Sequence, residues 1–140
     1  MGLNGKGFSA TGSRPATEDE TKKRLRAYLQ DIAQRGVPII YRDLAATLGL
    51  EPPNTIHQLA ELLETLMVED AAAGRPFIAA LVVSKARPGL PAPGFFDCAR
   101  RLGRFAGDLD ARAYHAQELA AASAFWRDVG QEQDGSTAAD

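Results

Sequence analysis

Gly and Pro residues divide the stretch between Val37 and Phe96 into short segments, and their order constrains the fold more than any other feature of the chain. A short apolar segment is followed by a helical pattern, a Gly, a Pro-Pro pair, a second helical pattern, an apolar run and a loop rich in Pro and Gly. That order is typical of a helix-turn-helix followed by a β-wing. The sequence therefore predicts an α+β domain that is mostly α, with a small β-sheet.

The helix that precedes this stretch is bounded by recognisable signals. Thr17 and Glu20 have the spacing of a capping box, and acidic residues suit the positive end of the helix dipole. Gly36 is expected to end the helix, and Pro38 prevents its continuation. The apolar positions of this helix form a single stripe of Leu25, Tyr28, Leu29 and Ile32, and the opposite face is predicted to hold Lys22, Lys23 and Arg26.

The next two helices are predicted on either side of Gly49. The first covers about 42–48, after a brief strand within Val37–Tyr41. The second begins after Pro52-Pro53 with Asn54 or Thr55 as its cap, and it ends at about residue 71 or 72. Its apolar stripe consists of Ile56, Leu59, Ala60, Leu63, Leu66 and Met67.

The C-terminal half begins with the strongest strand pattern in the chain, the apolar run Phe77–Ser84. A loop over 86–94 leads to a short helix over 95–104 and then to a last helix that ends near Val129. The last helix is expected to pack on the first, and its aromatic residues also fit a homodimer interface.

The pattern divides the chain into three parts. Residues 1–16 and 130–140 are predicted to be disordered, and residues 17–129 are predicted to form a single domain. Within that domain, a winged-helix-like core of about 20–96 is extended by C-terminal helices.

Net charge is −2, so no overall basic field attracts the chain to polyanions. The charge is unevenly distributed: residues 1–50 and 81–112 each carry a net charge of +3, whereas 51–80 and 113–140 each carry −4. Positive charge thus lies in the first helical region and around the predicted wing. An ordinary solvated surface would explain the same distribution.

The reactive residue types give no support for an enzyme, a metal site or a cofactor. Cys98 is the single cysteine, which excludes an intrachain disulfide and a cysteine-based zinc site and suits a reducing cytoplasm. No motif places a general base beside Cys98, so a small buried or half-buried thiol is the better interpretation. No apolar run approaches the roughly 20 residues that span a bilayer, and residues 1–16 lack the apolar region of a secretory signal, so no membrane partner is expected.

Two segments carry a resemblance to bacterial winged-helix proteins. The segment Ile39-Ile40-Tyr41-Arg42-Asp43-Leu44-Ala45, with Leu48-Gly49, resembles the opening of several winged-helix units, among them the DNA-binding half of the alkyltransferase-like proteins. The segment 80–95 resembles an LVVNK…GLPGxGF pattern of small uncharacterised bacterial proteins. The alkyltransferases carry a Pro-Cys-His-Arg site where this chain has Leu81-Val82-Val83-Ser84, so the resemblance implies a shape and no alkyl transfer.

Under this interpretation the helix after Pro53 is the recognition helix, which contacts the bases of the nucleic acid. Its first turn carries polar side chains that both donate and accept, namely Asn54, Thr55, His57 and Gln58. Asn54 or Gln58 is suited to a two-point contact with adenine, although Asn54 and Thr55 also suit simple capping and His57 simple solvation. Phosphate contacts are predicted for Lys85 and Arg87 in the wing and for Lys22, Lys23, Arg26 and Arg42. Arg100, Arg101 and Arg104 form a second basic cluster.

The leading hypothesis is a non-enzymatic DNA- or nucleic-acid-binding domain, regulatory in role. The alternative is a protein–protein interaction module on the same scaffold, which the net negative charge and the acidic residues Glu61, Glu64 and Glu69 favour. A contiguous basic face would support the first hypothesis, and a large apolar patch would support the second.

Overall fold

The computed structural model describes residues 17–87, 89–106 and 110–139, with 129–139 described for the backbone alone. The predicted disorder of residues 1–16 concerns residues outside this part of the chain. In chain order the elements are α1 (Glu18–Arg35), β1 (Ile39–Ile40), α2 (Tyr41–Leu48), α3 (Thr55–Ala73), a 3₁₀ helix (Ile78–Leu81), β2 (Val82–Val83), α4 (Pro93–Arg101) and α5 (Ala111–Ala139). The predicted class, α+β and mostly α, is confirmed.

The local signals around α1 act as predicted. The Thr17 hydroxyl accepts a hydrogen bond from the Glu20 backbone N–H at 3.0 Å, and the Glu20 carboxylate accepts one from the Thr17 backbone N–H at 2.9 Å. Gly36 ends the helix with a φ of 76°, a left-handed conformation that glycine adopts at little cost.

The core is built around the 3₁₀ helix, which α1, α3 and α5 enclose. α5 packs on α1, as predicted, and its side chains Tyr114, Ala122 and Trp126 are buried in the core of the same molecule. The backbone of α5 continues as helix to Ala139, beyond the predicted end near Val129. Within the described residues, no helix combines the length and apolar character needed to span a bilayer.

The strand predicted over Phe77–Ser84 is mostly wrong. Residues Ile78–Leu81 form a 3₁₀ helix, and only Val82–Val83 is extended. The reason is that carboxylates satisfy the backbone at the start of this run: Glu118 accepts from the Phe77 N–H at 2.7 Å and Asp70 from the Ile78 N–H at 3.0 Å. The apolar run is buried as predicted, but side chains take the place of a neighbouring strand.

The described part of the chain contains a single two-stranded sheet, in which β1 and β2 pair in parallel with Ile39 opposite Val82. After β2 the chain forms a closed loop, because the Ser84 N–H donates to the Leu90 carbonyl at 2.7 Å. A second strand of the predicted wing is not among the described elements. The loop nevertheless follows the helix pair at the position where the sequence places it.

The start of α3 departs from its predicted details. Asn54 occupies the cap position with a φ of 63°, and its side chain makes no capping hydrogen bond. Asparagine tolerates this left-handed conformation better than most residues. Ile56, predicted to belong to the core stripe, is 45% exposed, whereas Leu59, Leu63, Leu66 and Met67 are buried as predicted. α3 therefore begins with one turn that projects beyond the core.

Candidate nucleic-acid interface

Three segments that are distant in sequence meet around one surface depression. Arg42 comes from the start of α2, Ile56 from the first turn of α3, and Ser84 and Lys85 from the loop after β2. The depression has a volume of about 250 Å³. The hydroxyl of Tyr41 accepts a hydrogen bond from the Ala92 N–H at 3.0 Å, which ties the end of the loop to α2. The structure thus brings Lys85 to the same side of the molecule as the start of α3.

The two cations of this depression are exposed, and neither forms an ion pair within the described chain. Both Arg42 and Lys85 therefore present their full charge to solvent. Cations held at a surface without a carboxylate beside them are suited to bind phosphate, because no internal pair has to be broken first.

The polar residues at the start of α3 differ in their exposure and in whether their side chains already bond to other parts of the molecule. Asn54 and His57 are exposed, and His57 Nε2 lies 3.3 Å from the Glu61 carboxylate, an ion pair when the imidazole is protonated. Thr55 is half-buried. The Gln58 side-chain amide donates to the Glu51 carbonyl at 2.9 Å and to the Pro53 carbonyl at 2.8 Å. Both Gln58 donors are thus engaged within the molecule, which opposes the predicted two-point contact with adenine.

Arg87 is not among the residues that line the depression with Lys85. Its Nη1 donates to the Pro91 carbonyl at 3.1 Å, and its guanidinium lies 5.8 Å from the centre of the Phe96 ring. Arg87 lines a different depression, together with Arg100 and the start of α5 at Ala111. The two predicted wing cations are therefore not one cluster.

The predicted basic face of α1 is largely neutralised, which corrects the interpretation of Lys22 and Arg26. Both are partly buried against α3: Lys22 pairs with Glu69, and Arg26 pairs with Glu69 at 3.1 Å and with Asp70 at 2.9 Å. The hydrogen bond to Glu69 raises the pKa of Lys22, and the hydrogen bond from Lys22 lowers the pKa of Glu69. Lys23 is exposed, 3.7 Å from Asp19.

The second basic cluster also divides among carboxylate partners. Arg100 lies 3.6 Å from Asp97, Arg101 lies 3.4 Å from Glu64, and Arg104 lies 3.0 Å from Glu118. Arg101 links α4 to α3, Arg104 links the segment after α4 to α5, and the Arg100 pair lies within α4. They do not extend the surface of Arg42 and Lys85 into one basic face.

Cys98 is buried, as predicted, and burial raises the pKa of its thiol even though the Arg101 charge acts in the opposite direction. His115 is buried as well, with its Nε2 3.0 Å from the Ala80 carbonyl. The surroundings of Cys98 and His115 therefore activate neither side chain as a nucleophile.

Several residues that organise this region carry no clear signal in the sequence. Ile56 has the spacing of a core residue, and its exposure depends on where the turn before α3 lies. Asp70 and Glu118 look like surface carboxylates in the sequence, yet both are buried. The Glu-Asp pair at 69–70 near the end of a helix is a weak signal, because acidic residues are unfavourable there unless they have partners.

No protein-family model matches the chain, and no match was found among curated proteins or solved structures.

Proposed function

We propose that the chain is a non-enzymatic nucleic-acid-binding domain on a winged-helix-like core. The observation that carries the proposal is the convergence of Arg42, Lys85 and the exposed first turn of α3 around one depression. A helix start flanked by two cations that have no carboxylate partner in the described chain has the charge and shape that a phosphate backbone and an adjacent base edge require.

In the proposed mechanism, Arg42 and Lys85 contact phosphates on either side of the α3 start. The α3 N-terminus adds its backbone N–H groups, since it has no side-chain cap and no acidic residue in its first turn. Asn54 and His57 face the bases, and Ile56 supplies an apolar contact of the kind that recognises a thymine methyl group. Gln58 instead holds the preceding turn in shape.

The direct test is titration of labelled protein with duplex DNA at two ionic strengths. We expect the Arg42→Ala/Lys85→Ala variant to bind more weakly, and the slope of its salt dependence to fall by about 0.9 for each phosphate that the variant no longer neutralises. The matched control is Arg112→Ala/Arg127→Ala, which removes the same charge from two exposed positions on α5 that have no ion pair in the described chain. Equal effects of the two double variants would contradict the proposal.

A protein-interaction module is the second candidate, and the acidic groove beside the same helix favours it. This groove of about 500 Å³ is lined by three carboxylates and one cation, Glu18, Glu51, Glu61 and Arg24, together with the leucines Leu48, Leu50 and Leu62. If the chain binds nucleic acid, Glu51→Gln/Glu61→Gln should tighten DNA binding by removing repulsion near the phosphates. If these carboxylates instead recognise a protein, neither the parent chain nor the Glu51→Gln/Glu61→Gln variant should bind DNA measurably.

A further inference from the structure

A second concave site also has Tyr41 in its lining and lies between α3, α4 and the start of α2. It is an apolar cavity of about 80 Å³. Its inner wall consists of the buried side chains Tyr41, Leu63, Met67, Ala79 and Phe95. The proposed contacts to nucleic acid do not use this cavity.

The mouth of the cavity carries one ionisable group, the half-buried Glu64. Its Oε1 lies 3.4 Å from Nη2 of Arg101, at the outer side. Its Oε2 would lie 3.6 Å from a Cβ atom at position 94, where the chain has glycine. Within the described residues no donor bonds Oε2, so Gly94 leaves a carboxylate oxygen uncovered at the edge of an apolar space.

We propose that this cavity binds a short alkylammonium group. The alkyl chain lies against Leu63, Met67 and Phe95, and the ammonium donates to Oε2 of Glu64. An unpaired carboxylate oxygen beside an apolar wall favours a ligand with a cationic head and an apolar body. The volume favours a chain of about three to five carbons over an aromatic ring, because apolar cavities that bind benzene are nearer ~150 Å³.

The experiment is a titration of the full chain with n-butylammonium, followed by two-dimensional NMR of the backbone amides. n-Butanol is the comparison ligand, because it has the same alkyl chain and no charge. We expect saturable shifts around the cavity with both ligands, and about tenfold weaker binding for butanol, as the loss of a charge-assisted hydrogen bond predicts.

Two variants test separately the negative charge of Glu64 and the open space at Gly94. Glu64→Gln should weaken butylammonium binding about tenfold and leave butanol binding unchanged. Gly94→Ala should weaken both ligands, because its methyl group occupies the mouth at ordinary contact distance from Glu64. Since residue 94 lies within α4, alanine there also favours the helix, so weaker binding would not reflect a failure to fold.

Glu61→Gln, an exposed carboxylate on the same helix, is the matched control and should bind butylammonium as the parent chain does. The proposal is overturned if millimolar butylammonium gives no saturable shift, which would make the cavity a packing void. It is equally overturned if Glu64→Gln binds the amine as tightly as the parent chain.

Discussion

The Asp70 carboxylate, near the end of α3, accepts a hydrogen bond from the backbone N–H of Ile78, with the two atoms 3.0 Å apart. Asp70 is fully buried, and Arg26 and Arg75 pair with its other oxygen at 2.9 Å and 3.0 Å. One side chain from α3 therefore holds α1, the turn after α3 and the start of the 3₁₀ helix together. Buried charges that are this fully paired are costly to disrupt one at a time.

We predict that Asp70→Asn lowers the free energy of unfolding by about 3–5 kcal/mol, because it leaves two arginines near the core without their shared anion. Urea denaturation measures this decrease. Asp97→Asn is the control: this exposed carboxylate lies 3.6 Å from Arg100, and such pairs contribute at most about 1 kcal/mol. Similar decreases in the two variants would mean that the Asp70 cluster is not a structural centre.

The pH dependence of stability should report His115. Burial lowers the pKa of His115 below its ordinary value of 6.5, with a further lowering by Arg112, whereas the Ala80 carbonyl and Glu118 act in the opposite direction. The unfolded chain therefore binds more protons near that pH. The stabilisation is complete above the unfolded pKa and is lost as the pH falls towards the folded pKa.

We expect His115→Gln, which keeps a donor for the Ala80 carbonyl, to lose less unfolding free energy than the parent chain between about pH 7 and about pH 5. His57→Gln is the control, because the chain has 2 histidines and His57 is exposed. A parallel NMR titration should find the His115 imidazole titrating below pH 6.5. Identical pH profiles for His115→Gln and the parent chain would contradict the prediction.

The sequence predicts the features that depend on neighbours along the chain. The Thr17–Glu20 capping box and the Gly36 helix end follow from contacts within four residues, so their signals are complete in the local sequence. Local patterns mispredict the Phe77–Ser84 run because its backbone hydrogen-bonds to a side chain that is distant in the sequence. Glu118 is 41 residues from Phe77, and no local pattern indicates that its carboxylate would replace a strand.

The same division applies to the candidate interface. The polarity of the α3 start could be read from the sequence, and so could the exposure of Lys85 in a loop. The neutralisation of Arg26 could not, because its partner Asp70 lies 44 residues away. Charge clusters in a sequence therefore overstate the basic surface whenever the fold pairs them internally.

A third prediction distinguishes Lys22, which is paired with Glu69, from Arg42, which has no carboxylate partner in the described chain. Lys22→Ala should leave the salt dependence of DNA binding unchanged, because Lys22 is already paired with Glu69. Arg42→Ala should reduce the slope by about 0.9, the contribution of one phosphate contact. Fluorescence anisotropy at several salt concentrations measures both slopes. A reduced slope for Lys22→Ala would mean that the Lys22–Glu69 pair opens on binding and that α1 is part of the interface.

The last prediction concerns Gln58, whose side chain donates to two carbonyls of the turn before α3. Gln58→Ala removes both hydrogen bonds, and we expect the unfolding free energy to fall by about 1–3 kcal/mol. DNA affinity should change much less than in Asn54→Ala, since Gln58 has no free donor for a base. Gln117→Ala, an exposed position on α5, is the stability control. If Gln58→Ala loses DNA affinity at unchanged stability, Gln58 leaves the turn to contact a base.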